Sequence, residues 1–417
     1  MNKAIEILKT RGFLQQCTSV EGLSKLMDEG PVAFYIGCDP TFNSLHIGHM
    51  VPFFAYRHLR ENGHIALALI GGGTARIGDP SGKSEVRKML TYEQLDENTK
   101  SIHAQLDRFI GFDGKTAYAV NNKDWLANLN YIDFLRDIGR HFSVNRMLSF
   151  ETYKMRLETG LSFIEFNYQL LQSYDFLELY RRHGCRLQIG GDDQWGNIVA
   201  GVELIRRVEG VEAFGLTFPL VTTSDGKKMG KTEKGALFLD PAIITPYEFY
   251  QYWRNVQDQD ILRFLLMFTF LPAEECSALC EAGKNPNEAK ERLAWEVTAL
   301  IHGKEEADKA LAGAKAAFSG SGDKQAMPKT EISRSKFEEG YNIVDLFFDS
   351  GLESTKSDSR RLVQQNGAFV SNSAGELTVI SNTAAVIGAD RLNGEGELTL
   401  RAGKKRYMLV ITRGHSF

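Results

Sequence analysis

Apolar and polar positions along the chain keep two rhythms, one suited to strands and one to helices. From Val32 to Asp39 the run VAFYIGCD is β-branched and aromatic and is bounded by Gly and Pro. A turn, PTFNS, follows, and then HIGHMVPFFAYRHLRENG at helical spacing. A second strand, IALALIGG from Ile65, feeds a glycine-rich loop that runs through Lys83. CRLQIGG from Cys185 repeats the pattern of apolar strand into glycines and a polar helix start. This alternation predicts an α/β fold, a parallel sheet wrapped by helices with ligands held at the carboxyl ends of the strands.

Between these strands, residues of about 123 to 183 read mostly as amphipathic helices, among them YIDFLRDIGRHF and SFIEFNYQLLQSYDFLELYRRHG. They form an expected insertion that also offers a dimer face. After SDGKKMGKTEKG the pattern is helical from Pro246 to about Phe318, and SGSGDKQAMPKT then supplies a polar linker containing Gly and Pro. The remainder opens with helix and continues in short strands, AFVSN, LTVI and KRYMLVIT. The expected organisation is a sheet domain over 1–235, a helical domain over 236–318, a linker over 319–335 and a small α+β domain over 336–417.

The chain has 417 residues, more than one hydrophobic core usually supports. Its 43% hydrophobic and 24% charged composition excludes a wholly disordered or collagen-like chain. The opening MNKAIEILKTRG carries charges through its apolar stretch, and no window offers about 18 uninterrupted apolar residues, so neither export nor a membrane span is expected. Five scattered cysteines without a C-x-x-C pair point to a reducing, cytoplasmic setting and to no structural zinc. A net charge of -4 means that any nucleic-acid partner is held by local patches.

The chemistry concentrates in a few short motifs. His46-Ile47-Gly48-His49 places two imidazoles at a helix start, where free backbone N–H groups favour a phosphate and Gly48 leaves room for a flat purine. A metal-binding reading lacks both H-E-x-x-H and a third ligand at suitable spacing. Lys228-Met229-Gly230-Lys231-Thr232 sets two lysines in a glycine-flanked loop, suited to charge that builds on a leaving group near the transition state. Gly78 to Ser84, GDPSGKS, has one residue too few for a P-loop, but Lys83 and Arg87 can contact phosphates and Asp79 an ammonium group. On one helix, Tyr168, Gln172 and Asp175 share a face and so present a hydroxyl, an amide and a carboxylate to a small polar ligand. GGDDQWGN, from Gly190 to Asn197, ends a strand with carboxylates placed to hold a ribose diol.

HIGH followed by the lysine loop resembles the paired signatures of class I aminoacyl-tRNA synthetases, and YIGCDPT, GGDDQWGN and KMGKT together resemble the tyrosyl-tRNA synthetase family of bacterial type. The likeness runs through nearly the whole chain, and SDSRRLVQQNGAFVSN, from Ser357, resembles the S4 signature. The resemblance implies a Rossmann-type catalytic domain with a dimer-forming insertion, a helical anticodon-binding domain and an S4-like RNA-binding domain. It implies that Tyr35 and Asp175 hydrogen-bond a tyrosine phenol, that Asp79, Tyr168 and Gln172 take the α-ammonium group with Asn122 nearby, and that Gln194 lies by the carboxylate. Thr41, His46, His49 and Gly48 then serve ATP, Gly37, Asp39, Gly191 and Asp193 the adenylate, with Lys231 also at the nucleotide, and Lys83, Arg87, Lys228 and Lys231 the departing pyrophosphate, with Thr232 counted among the catalytic residues. ATP is expected with Mg²⁺ as co-substrate, without a tightly held protein metal. The expected partners are L-tyrosine, ATP, tRNA(Tyr) and a second copy of the chain. Lys356, Arg360, Arg361, Arg391, Lys404, Lys405 and Arg406 are the expected RNA contacts. A tryptophanyl enzyme, another nucleotidyltransferase with an HxGH motif, and a non-catalytic RNA-binding derivative are the rivals. The first binds an indole N–H, a donor only, and has less use for a paired Tyr35 and Asp175. The second does not need an RNA-type tail, and the third is disfavoured by two intact signatures.

Overall fold

Six strands build the sheet that carries the site, in the order β1-β6-β5-β2-β3-β4. They are β1 (Gln16–Cys17), β2 (Ala33–Cys38), β3 (Ile65–Ile70), β4 (Ala117–Asn121), β5 (Cys185–Gly191) and β6 (Phe214–Phe218). All neighbours are parallel except the short edge pair β1 and β6. The chain leaves β2 toward β3 and β4 and returns on the other side as β5 and β6, so the order reverses between β2 and β5. Such a switch point opens a crevice at the carboxyl ends of the strands. β6 is buried throughout and β3 at all but its first residue, as expected of parallel strands covered on both faces.

This is a computed structural model, and it describes residues 1–79, 90–224, 226, 229–232, 235–319, 327–403 and 406–413. The contacts divide the chain into two compact units, Met1–Thr245 with Trp253–Ile301, and Pro246–Tyr252 with His302–Phe417. The helices between Pro246 and Ser319 are therefore shared between the two. No helix among the described residues is long and apolar enough to cross a membrane.

In the first unit the expected insertion consists of Lys123–Leu126, Tyr131–Asp137, Val144–Leu148, Glu151–Thr159 and the long helix Phe163–His183. The long helix begins at a capping box, Ser162 with Glu165, and stops at Gly184, whose φ of 63° is left-handed. Glu165 does more than cap. Its carboxylate accepts from the Ser162 amide at 3.0 Å and hydroxyl at 2.8 Å, and from the Arg156 guanidinium at 2.9 Å. Burial opposes the charge, but these donors outweigh it and hold the carboxyl below its usual range.

The second unit contains a five-stranded sheet in the spatial order Leu377–Ile380, Ala368–Ser371, Glu397–Ala402, Arg406–Arg413, Lys329–Ser333. Helices Ile343–Asp349 and Lys356–Gln364 bury Ile343, Leu346, Phe347 and Val363 in one core with Leu398, Leu400 and Val410. Lys329–Ser333, expected within the linker, is an edge strand parallel to the last one, with Ile332 buried beneath it. The glycines and Pro328 that mark the linker end just before this stretch, and KTEIS alternates at strand spacing.

Because the Arg156 and Glu165 side chains are only 3% and 8% exposed, Glu165→Ala removes the counter-charge of a buried guanidinium and leaves it the Gly160 carbonyl at 3.1 Å. That variant is expected to lose about 3–5 kcal/mol of stability in urea unfolding near neutral pH. With its pKa lowered by folding, the carboxylate contributes this stability above the usual carboxylate range and loses it on acidification. A loss below about 1 kcal/mol, the range of an exposed pair, would remove the pair from its anchoring role.

Candidate active site

At the switch point lies a cavity of about 620 Å³. Its lining includes Tyr35, Gly37 and Asp39 from β2 and the loop after it, and Thr41, His46, Gly48 and His49 from the next segment. Asp79, Asn122, Tyr168, Gln172, Asp175, Gly191, Asp193 and Gln194 complete the set, so the fold gathers fifteen of the residues singled out in the sequence. Lys83, Arg87 and Lys228 lie outside the described residues. For Lys231 and Thr232 the backbone course is described, a two-residue strand paired with Gly235–Ala236.

The closed end of the cavity is built on Asp175, which is 2% exposed. One carboxylate oxygen accepts from Asn122 Nδ2 at 2.9 Å and the other from Trp125 Nε1 at 2.7 Å. Burial raises its pKa to about 8, against the pull of these two donors and with further push from Asp39 and Glu178. The Tyr35 hydroxyl is buried and has no hydrogen-bond partner among the described residues. Burial, and then the charge of Asp175, raise the Tyr35 pKa well above the usual phenol range, so this group stays a neutral O–H. A carboxylate with lone pairs to spare and an unpaired phenol together suit a ligand hydroxyl that donates to one and accepts from the other.

A second network spans the middle of the cavity. Asp39 accepts from Tyr168 Oη at 3.0 Å and from Thr74 Oγ1 at 2.7 Å, and Asn122 Nδ2 donates to that same threonine oxygen at 2.9 Å. A Cβ at position 71 would fall 1.9 Å from Asp39 Oδ1, which explains the glycine there. Gln194 Nε2 donates to Asp79 at 2.7 Å, while Gln172 Nε2 and Asn197 Nδ2 donate to Gln194 Oε1 at 3.3 and 3.2 Å. With Asp39, Asp79, Asp175 and Asp193 all in its wall, the cavity carries four carboxyl groups and favours a cationic group.

The histidine motif opens with a 3₁₀ turn, Ile47–His49, that runs into the helix Met50–Glu61. His46 Nδ1 accepts from the Gly48 amide at 3.1 Å and His49 Nδ1 accepts from the His46 amide at 3.2 Å. In the neutral rings both protons therefore sit on Nε2. A Cβ at position 48 would come within 2.9 Å of the His46 ring, so the glycine makes room for that imidazole.

Several contributors were not named from the sequence. Trp125 and Thr74 position Asp175 and Asp39, and Gln188, 3% exposed, stands opposite Tyr35 with its Oε1 lacking a partner among the described residues. Trp125 reads as one apolar residue of an amphipathic insertion, and only its place after Asn122 at a strand end signals more. Asp192, by contrast, turns away from ligand chemistry and ties β1 to β6 by accepting from Gln16 Nε2 and Thr217 Oγ1, each at 2.7 Å.

In the second unit, Lys356 pairs with Asp345 at 2.7 Å, Arg361 with Asp358 at 2.7 Å and Arg406 with Glu353. Arg391 donates to Thr378 Oγ1 at 2.9 Å. Arg360 is exposed and has no ion pair among the described residues, and Lys404 and Lys405 lie outside them.

Residues 27–319 match the family model of the class I tRNA synthetases (W and Y). The chain is 62% identical over 411 residues to the tyrosine–tRNA ligase of Treponema denticola, covering 99% of this chain and 100% of that one. It is 57% identical over 412 residues to the tyrosine–tRNA ligase of Treponema pallidum, covering 99% of each. Among solved structures, a C-terminally truncated mitochondrial tyrosyl-tRNA synthetase of Aspergillus nidulans aligns with a TM-score of 0.66 at 32% identity, over 74% of this chain and 92% of that one. The chain belongs to the class I tRNA synthetases of the tryptophan and tyrosine family, in its tyrosine–tRNA ligase branch.

Proposed function

We propose that the chain activates L-tyrosine with ATP and transfers the tyrosyl group to tRNA(Tyr), working in the cytoplasm as a homodimer. The observation that carries the reading is the closed end of the cavity, where a Tyr35 hydroxyl without a partner among the described residues neighbours the buried Asp175 carboxylate. A phenol answers both, whereas an indole N–H can answer only the acceptor.

In this reading the phenol donates to Asp175 and accepts from Tyr35. The α-ammonium group takes up Asp79, Tyr168 and Gln172, with Asn122 and Gln194 completing the surround. One carboxylate oxygen of tyrosine attacks the α-phosphorus of ATP in line, the bond to the β-phosphate oxygen breaks, and pyrophosphate leaves. ATP enters as its magnesium complex, the ion riding on the phosphate oxygens as part of the co-substrate. The Nε2–H groups of His46 and His49 meet charge developing on the phosphates, and Thr41 and Gly48 take part in holding ATP. Gly37, Asp39, Gly191 and Asp193 hold the adenylate. Lys83, Arg87, Lys228, Lys231 and Thr232 neutralise the departing pyrophosphate. A hydroxyl of the terminal ribose of tRNA then attacks the acyl carbon and AMP leaves. Positioning and charge stabilisation carry both steps.

The residues beyond 236 serve the tRNA, with a helical part to about 318 for the anticodon and the S4-like region from 336. Arg360, exposed and unpaired by any described carboxylate, is the foremost phosphate contact, with Lys356, Arg361, Lys404, Lys405 and Arg406 around it. The homodimer rests on the helices of the insertion. These leave Ile132 and Phe163 each 69% exposed, with Tyr131, Val144, Met155, Leu157 and Ile164 also exposed. So many large apolar residues within one short stretch mark a covered face.

Tyrosine affinity is expected to rise by up to about tenfold per pH unit between pH 6 and 8 and to level off above, because Asp175 accepts the phenolic proton only when ionised. The sign follows from the raised pKa of about 8, which leaves the unliganded carboxyl largely protonated at the acid end of that window. Equilibrium dialysis across this range checks it, with phenylalanine as the flat control and Asp175→Asn expected to flatten the tyrosine curve. A wild-type curve as flat as that of phenylalanine would contradict the assignment. For the dimer, Ile132→Glu together with Phe163→Glu is expected to give monomers in sedimentation experiments, and retention of a dimer would relocate the interface.

A further inference from the structure

The two signature segments form one hydrogen-bonded piece. The backbone from Leu45 to Ile47 lies beside Leu237, Phe238 and Leu239: the Ile47 amide donates to Leu237 O at 3.0 Å and the Leu239 amide to Leu45 O at 2.8 Å, with His46 and Phe238 bridged antiparallel. The Leu237 amide in turn donates to Gly230 O at 2.7 Å. The strand pair Lys231–Thr232 and Gly235–Ala236 thus runs directly into the residues that are bridged to His46.

At the join, Gly230 has a φ of +80° and its backbone lies directly on the side chain of Ile47, itself 1% exposed. A Cβ at position 230 would fall 1.8 Å from Ile47 Cγ2, a distance no two non-bonded carbon atoms tolerate. Ile47 and Gly230 therefore have complementary shapes. The isoleucine fills the space that the glycine leaves, and neither can grow without lifting the hairpin.

We propose that Ile47 is a positioning residue for the reaction, the seat that sets the height of the lysine hairpin relative to His46 and His49. The proposal rests on the reading above in which Lys231 serves the departing pyrophosphate. A backbone displaced at Gly230 moves the residue that follows it, and a shift on the order of 1 Å at a group engaging the transition state costs roughly 100-fold in rate. Tyrosine itself binds at the far, closed end and does not sense the change.

The test uses the full chain and two readouts, the tyrosine dissociation constant and the single-turnover rate of tyrosyl-adenylate formation. Ile47→Val keeps the γ2 methyl and is expected to stay within about twofold of wild type in both. Gly230→Ala is expected to slow adenylate formation by roughly 100-fold with tyrosine affinity within about twofold. Gly230→Asn separates strain from collision, because asparagine tolerates positive φ yet still carries a Cβ, and it is expected to be slow as well. Ile47→Ala combined with Gly230→Ala gives the new methyl the space of the old side chain and is expected to recover about tenfold over Gly230→Ala alone; the recovery is partial because the backbone strain stays. Equal losses in tyrosine affinity and in rate, a Gly230→Asn chain at wild-type rate, or a double variant no faster than Gly230→Ala overturns the proposal. Lys231→Ala is the separate control: at wild-type rate it overturns the lysine role and this proposal with it, while a slow Lys231→Ala beside a fast Gly230→Asn overturns the seat alone.

Discussion

A carboxyl group buried between a sheet and a helix is costly unless donors surround it, and the site is arranged around meeting that demand at Asp175. Two donors, Asn122 and Trp125, each take one of its oxygens, Asn122 at the cap and Trp125 within the short helix Lys123–Leu126 that follows β4. Asn122 also donates to Thr74, which donates to Asp39, so the same asparagine joins the closed end of the cavity to its middle. The burial that makes Asp175 expensive also makes it discriminating. A ligand that cannot answer the Tyr35 hydroxyl and the carboxylate leaves them unpaired in a place water does not compensate.

The helix that delivers Asp175 is held at its other end by the buried Arg156–Glu165 pair and the Ser162 cap. Tyr168 and Gln172 ride on the same face and reach Asp39 and Gln194. Sheet, insertion and long helix thus converge on a single polar network, and glycines at 48, 71 and 230 admit the groups that touch it or its flanking signature. These contacts differ widely in strength. Their value lies in fixing donors and acceptors before any ligand arrives, which is what positioning catalysis requires.

Much of this was legible in the sequence because the relevant patterns are local. β2, β3 and β5 and the helix Phe163–His183 follow from apolar runs and helical spacing, and the shared face of Tyr168, Gln172 and Asp175 is a matter of period. β4 and β6 were harder because the runs AYAV and FGLTF are short, even with the turn residues Asp113-Gly114 ahead of the one and Pro219 behind the other. Trp125 and Thr74 were out of reach for a different reason: their importance depends on partners 50 and 35 residues away. The Ile47–Gly230 contact is longer still in sequence and depends on a methyl group meeting a missing one, which no residue count reveals. The division of the helices between Pro246 and Ser319 among two units also escaped the pattern, because helical spacing says which face is buried and not against what.

The central claim is that the closed end of the cavity is built for a group that donates and accepts at once. Amino-acid-dependent ATP–pyrophosphate exchange, run with tyrosine, phenylalanine and tryptophan as competing substrates of the intact chain, tests it most directly. The account predicts exchange driven by tyrosine, with phenylalanine and tryptophan both lower in kcat/KM by several powers of ten, of the order expected when buried polar groups are left unpaired. Exchange driven as well by phenylalanine, or better by tryptophan, would contradict it.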